Sequence, residues 1–144
     1  MARGDITVFD ESKEAIAQGV HNIGTDTYKM ALVTNATVPL PGTTSPALGD
    51  FTEVVGTGYT AGGFTMTMSV SEAAGTVTVA TTNTVVLSQD PAGPSNIFYG
   101  LVYNDTDAAK PALCFIEITS DGVTGLDTVS RNLTINSGTL FTVS

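Results

Sequence analysis

The sequence predicts an all-β protein, either an antiparallel β-sandwich or a jelly-roll-like domain of about eight strands with one short N-terminal helix. Two observations predict it. Apolar and polar residues alternate with a period of two along many short segments, and clusters of Gly, Pro and Asn separate those segments. Such a pattern is typical of antiparallel sheets rather than of a parallel α/β sheet. Because 144 residues is the size of one domain, we expect residues 1–144 to share a single core.

Helical signals are confined to the segment ESKEAIAQ (11–18) near the N-terminus. Asp10 is the expected N-cap, because its side chain can accept a hydrogen bond from the first free amides. Glu11 and Glu14 lie in the first turn, where the helix dipole favours negative charge. Gly19 follows as the expected stop. The sequence therefore predicts one short helix.

Nine segments are strand candidates because β-branched and aromatic residues dominate them. Alternation is clearest in FTMTMSV, where Phe64, Met66, Met68 and Val70 are expected on one buried face and the hydroxyl side chains on the other. The nine candidates are 27–34, 51–55, 64–70, 76–82, 84–87, 97–104, 112–119, 129–135 and 139–143.

The sequence predicts a protein surface with few charged side chains. Only 13% of the residues are charged and 42% are hydrophobic, whereas charged residues make up about 25% of an ordinary domain. Two explanations are open. Either the 24 threonines solvate the surface, or part of the surface is buried against other subunits.

The net charge of −9 argues against nucleic acid as a partner, since the five basic residues are scattered singly and form no stripe. We expect no membrane partner, because no apolar run approaches the roughly 18 residues of a spanning helix. The acidic start MARGDITVFDESKE also lacks the apolar core of a secretory signal. A protein made in the host cytoplasm is the expectation.

His21 is the only histidine, and it lies close in sequence to Asp26 and Lys29. A histidine suits proton transfer or metal binding near neutral pH. No G-x-S-x-G or H-E-x-x-H motif and no second histidine accompany it. We therefore expect His21 to be structural or merely exposed, and we predict no enzyme, no cofactor and no metal site.

Three further features of the sequence could suggest a chemical function. Cys114 is the only cysteine and stands in PALCFIEI, so it is expected to be a buried, unreactive thiol. Asp105 and Asp107 have the alternate spacing of calcium ligands but lack the glycine and distal glutamate of an EF-hand, which favours a hairpin loop. The glycine-rich GTGYTAGG (56–63) fits no phosphate-binding motif and is expected to be a flexible turn.

Four stretches follow one another along most of the chain: VFDESKEAIAQGVHNIGTDTYKMALVTNATVP, LGDFTEVVGTGYTAGG, GLVYNDTDAAKPALCFIEI and GTLFTVS. In this order they resemble small virion structural proteins of tailed bacteriophages, of the capsid decoration (cement) type. The resemblance implies a protein on the capsid surface of the virion that stabilises the shell. Its implied partners are the major capsid protein and other copies of itself, as a homo-oligomer and specifically a trimer.

Loops and termini are the surfaces that a sandwich offers to partners. The candidate regions are residues 1–9, the loop 38–50 and the loop 88–96. Residues 1–9 are expected to form an extended arm that adds a strand to a neighbouring subunit. The alternatives are that they pair with an edge of their own sandwich or form a frayed tail. The candidate partner-contact residues are Ile6, Val8, Phe9, Pro39, Pro41, Pro91 and Pro94.

A second hypothesis is a tail, neck or fibre component that acts as an adaptor or as a receptor- or glycan-binding module. It requires a concave site with exposed aromatic rings. The candidates are Tyr59, Phe98, Tyr99 and Tyr103, of which strand alternation places at least half in the core.

Overall fold

The computed structural model describes residues 2–144 and confirms the all-β, sandwich-like fold. One α-helix, α1 (Asp10–Ala17), and one 3₁₀ turn (Leu48–Asp50) accompany ten strands. The strands are β1 (Ile6–Val8), β2 (Tyr28–Val33), β3 (Phe64–Met66), β4 (Met68–Ala73), β5 (Thr76–Thr81), β6 (Val85–Leu87), β7 (Tyr99–Asn104), β8 (Ala112–Glu117), β9 (Leu133–Ile135) and β10 (Gly138–Val143).

A five-stranded antiparallel sheet in the order β1-β8-β7-β2-β3 forms the centre of the molecule. Its inner strands β7 and β8 are buried at every position. Both faces are therefore covered, which fits the mostly apolar sequence of these strands before Asn104 and Glu117 at their ends. Alternate residues along each strand belong to opposite faces.

The two faces of the central sheet carry two different cores. The first core lies on the face that includes Met30, Leu32 and Val102, and this face packs against side chains from β6, β9 and β10. The other face, which includes Ala31, Leu101 and Phe115, is covered by Phe9 and Phe51 from outside the sheet. Strand β8 supplies residues to both cores and therefore links the groups of side chains that cover the two faces of the central sheet.

The other two sheets are antiparallel and small, with the orders β10-β5-β4 and β6-β9. The predicted strand 64–70 is split between sheets: β3 pairs with β2, and β4 pairs with β5. At the break, the Thr67 amide donates to Asn83 Oδ1 at 2.7 Å and the Thr67 carbonyl accepts from the Thr82 amide at 2.9 Å. Because the chain changes sheets there, Val70 is 49% exposed instead of buried with Met66.

The predicted helix is present, but its start differs in detail. Asp10 is the first helical residue, and the capping position is Phe9, which provides no side-chain hydrogen bond. The Asp10 amide instead donates to the Pro41 carbonyl at 2.9 Å, so a distant loop supplies the acceptor. Gly19 ends the segment at a φ of +77°, as expected for a glycine stop.

The expectation of a free N-terminal arm is wrong in this fold. Strand β1 pairs antiparallel with β8 of its own subunit, with Ile6 opposite Ile116 and Val8 opposite Cys114. Phe9 is fully buried against Phe115, with the ring centroids 5.2 Å apart. The apolar residues of the segment thus find partners within the chain.

Two other predicted strands are shorter in the structure. The segment 51–55 forms a single bridge between Val33 and Glu53. It is flanked by one main-chain hydrogen bond to Leu32 of β2 and one from Thr34, just after β2. Only the last three residues of 129–135 form a strand, β9.

Candidate functional site

His21 is buried at the elbow between α1 and β2, with 3% of its surface exposed. Its Nδ1 lies 3.4 Å from the Tyr28 hydroxyl, and its Nε2 has no hydrogen-bond partner among the described residues. Burial lowers the pKa of His21, and the Ala112 carbonyl and the Asp26 carboxylate oppose this shift only in part. The ring is therefore neutral at pH 7. Asp26 is itself engaged, since it accepts from the Asn104 side-chain amide at 2.6 Å.

Other titratable groups are also used by the fold. The Cys114 thiol is buried, as predicted, and burial raises its pKa to about 12. Asp105 forms salt bridges with Lys29, at 2.9 Å, and with Lys110. Hydrogen bonds from these two lysines lower the pKa of Asp105. In residues 2–144, no group of three or more His, Cys, Asp or Glu side chains is placed to hold a metal ion.

The glycine-rich turn 56–63 is fastened to the central sheet. The Tyr59 hydroxyl donates to Glu53 Oε2 at 2.6 Å and accepts from the Leu32 amide at 3.0 Å. Glu53 Oε2 also accepts from the Gly62 amide at 2.8 Å. The Tyr103 hydroxyl donates to the Gly62 carbonyl at 2.6 Å. The turn that was expected to be flexible is therefore held to the central sheet through the Tyr59 side chain and through the main chain of Gly62.

The aromatic residues of the glycan-binding alternative do not form an exposed platform. Phe98, Tyr99 and Tyr103 are buried, with exposed fractions of 3%, 5% and 0%. Tyr59 is half-buried, and its hydroxyl is taken up by Glu53. No pair of these rings is therefore available for a sugar to stack on.

The candidate partner-contact residues fall into three groups in the structure. Pro41 and Pro91 are exposed, and Ile6 and Val8 are half-buried. The other three are buried within the subunit, which removes their side chains from any partner surface: Phe9, Pro39 and Pro94.

The turn 38–43 exposes the neighbours of Pro39 instead. Val38 is 47% exposed and Leu40 is 58% exposed. The turn is ordered by hydrogen bonds: the Thr43 amide and hydroxyl both donate to the Leu40 carbonyl, at 3.0 and 2.8 Å. Together with the bond from Asp10 to Pro41, these contacts fix an aliphatic side chain in solvent.

A cleft of about 430 Å³ lies between β1, the end of β8 and β9. This volume falls within the roughly 300–1,000 Å³ of ligand-binding clefts. Aliphatic side chains that also pack on the first core form its floor: Ile6, Ile116, Ile118, Leu126, Leu133 and Ile135.

Both arginines of the chain, Arg3 and Arg131, line this cleft, and both are exposed. The three lysines are each in a salt bridge with a carboxylate. Within the described part of the chain, the two arginines form no salt bridge. Arg3 Nε donates to the Ile118 carbonyl at 3.0 Å, which anchors that side chain beside β8.

Glu117 belongs to the wall of the cleft through its backbone. On β8 it alternates with Ile116 and Ile118, so its side chain lies on the opposite face of the sheet. There it stands opposite Tyr99 and accepts a hydrogen bond from the Thr119 hydroxyl at 2.8 Å. The other lining side chains are aliphatic, amide, hydroxyl or cationic.

Sequence reasoning missed this cleft. The two arginines lie at opposite ends of the chain, and only the pairing of β1 with β8 and the position of β9 bring them together. One signal was present: these are the only two arginines in an acidic chain.

No protein-family model matches the chain, and no curated protein or solved structure shows a significant match to it. Within residues 2–144, no helix is long and apolar enough to cross a membrane.

Proposed function

We propose that this chain is a structural protein of a tailed-phage virion, which decorates the capsid surface as a homotrimer and clamps neighbouring major capsid subunits. The role is assembly rather than catalysis, and it needs no cofactor. Binding that favours the expanded shell would stabilise the shell by mass action.

The observation that supports the proposal best is the ordered turn 38–43. Leu40 is held in solvent by a turn whose backbone is already hydrogen-bonded. An exposed aliphatic side chain on a fixed backbone loses little conformational freedom when a partner covers it, so it is suited to anchor an interface.

The rest of the surface is consistent with burial against partners. The exposed large hydrophobic residues among those described are all aliphatic: Val20, Val38, Leu40, Val55, Val70, Val86, Val123, Val129 and Val143. Charged residues account for only 13% of the chain. A specific interface of about 800 Å² on each partner would cover a share of these side chains.

The test is binding of the purified protein to expanded, undecorated shells, measured by co-sedimentation. Leu40→Asp places a charge in the proposed contact and is expected to weaken binding by about ten-fold or more. Val123→Asp is the matched control, because Val123 is 78% exposed on a turn outside the candidate contact regions. Equal binding by Leu40→Asp and the wild type, or no binding by the wild type, would overturn the proposal.

A further inference from the structure

Strand β1 is the edge of the central sheet and has one strand partner, β8. The Glu117 amide donates to the Asp5 carbonyl at 2.8 Å, and the Phe9 amide donates to the Leu113 carbonyl at 3.3 Å. In an antiparallel ladder such bonds recur at every second residue. The main-chain groups of Ile6 and Val8 therefore point away from β8, toward the side of the sheet where no strand is paired.

Strand β9 is also an edge, because it pairs with β6 on one side only. The cleft of about 430 Å³ is lined by residues of both β1 and β9. It is thus a gap next to two strand edges, above an aliphatic floor. An extended segment of another chain can use the outward main-chain groups of β1 and place alternate side chains on that floor.

The charges at the rim of the cleft indicate which charged side chains a bound segment carries. Arg3 and Arg131 are the two cations without a salt bridge in the described residues, and both line the gap. A guanidinium group binds carboxylates through paired N–H donors. The side chain of Glu117, the one acidic residue of the lining, lies on the other face. A carboxylate at the rim therefore meets two cations and no competing acid.

We infer that the gap between β1 and β9 accepts an extended protein segment in which aliphatic and acidic residues alternate. The segment adds a strand to β1, buries its aliphatic side chains on the floor and directs its carboxylates to Arg3 and Arg131. The N-terminal segment is then the acceptor of a partner strand rather than a donor. This inference deepens the proposed assembly function and names the surface through which a partner protein binds.

The test uses a short peptide of alternating valine and glutamate, blocked at both ends, and a valine–lysine peptide as its counterpart. Amide hydrogen exchange of the whole chain is followed by NMR. At about 1 mM of the acidic peptide, the Ile6 and Val8 amides are expected to become protected, while the Phe9 amide is already protected in the free protein. Absence of new protection at Ile6 and Val8, or equal protection by the lysine peptide, would overturn the inference.

Arg131→Gln tests the charge of the rim, and its exposed position makes a folding defect unexpected. It is expected to weaken binding of the acidic peptide about ten-fold. The matched control is Lys13→Gln, which removes an exposed cation that pairs with Asp10 outside the cleft. Equal affinities of Arg131→Gln and the wild type would contradict the role of the rim.

Two outcomes separate this inference from the proposed function. Peptide binding at β1 by a protein that does not bind shells would overturn the virion role and leave the strand-acceptor site intact. If Arg131→Gln instead dissociates a homo-oligomer that the peptide does not disturb, the gap is filled by a second copy, and the inference of a foreign segment is wrong.

Discussion

The Tyr59 hydroxyl lies 2.6 Å from Glu53 Oε2 and joins the glycine-rich turn to the central sheet through its second bond, from the Leu32 amide. Tyr59→Phe removes the donor to Glu53 and the acceptor of the Leu32 amide together. We expect the free energy of unfolding to fall by about 1–3 kcal/mol, the usual effect of leaving a buried polar group unpaired. Urea denaturation measures it.

Tyr99→Phe is the control for this change, because the Tyr99 ring is buried and its hydroxyl bonds to no other described residue. The control is expected to lower the free energy of unfolding by less than about 0.5 kcal/mol. Equal effects of the two substitutions would show that the bond between Tyr59 and Glu53 adds nothing to the fold.

Alkaline pH is expected to destabilise the protein. Burial raises the pKa of Tyr28 and Tyr59, raises that of Tyr103 to about 12, and raises that of Cys114 to about 12. These groups ionise in the unfolded chain before they ionise in the folded one. Their contribution is complete below the unfolded pKa values, near 9 for the thiol and 10 for tyrosine, and is lost as pH rises toward 12.

The loss is on the order of 1 kcal/mol per pH unit for each such tyrosine above pH 10. Urea midpoints between pH 8 and 11 test this, with tyrosinate absorbance as a second signal. Tyr103→Phe is expected to make the dependence on pH less steep. A free energy of unfolding that stays constant to pH 11 would contradict the burial of these groups.

The thiol of Cys114 is expected to resist alkylation in the folded protein and to react at once in denaturant, because it is buried and its pKa is raised to about 12. Cys114→Ser places a hydroxyl in an apolar strand and is expected to cost about 1–3 kcal/mol without loss of assembly. Rapid, complete labelling of the native protein would show that β8 is not enclosed on both faces.

Deletion of residues 2–8 is expected to destabilise the domain itself. It removes the β1 ladder and the contacts of Ile6 and Val8 with the first core, which together contribute a few kcal/mol, on the order of two buried aliphatic side chains. Thermal unfolding followed by circular dichroism measures the change. Deletion of residues 2–3 alone is the control and is expected to have a small effect. An unchanged melting temperature without residues 2–8 would restore the picture of a free arm.

Much of the fold could be predicted because residues close together in the sequence determine the helix and several of the strands. The helix start near Asp10, the stop at Gly19 and the mostly apolar strands β7 and β8 each follow from residues within one segment. The break at Thr67 could not be predicted, since a period of two shows which residues share a face but not which sheet a strand joins. The partner that decides it, Asn83, lies in another segment.

The candidate site depended even more on long-range pairing. The contact residues chosen from loops included Phe9, Pro39 and Pro94, all buried, because a position in a loop does not reveal which side chain faces inward. Arg3 and Arg131 meet only through the sheet arrangement. Their shared lack of a salt bridge is a property of the folded chain, and composition alone showed only that such cations were scarce.

Position on a particle is the most direct test of the proposed role. The proposed role is tested by electron cryo-microscopy of tailed-phage particles assembled in the presence of this protein, which carries a gold label or a fused marker domain. We expect three copies around each threefold position of the expanded shell, with the turn that carries Leu40 against the major capsid protein. Label on the tail, on the neck or absent from the particle would contradict a capsid decoration protein.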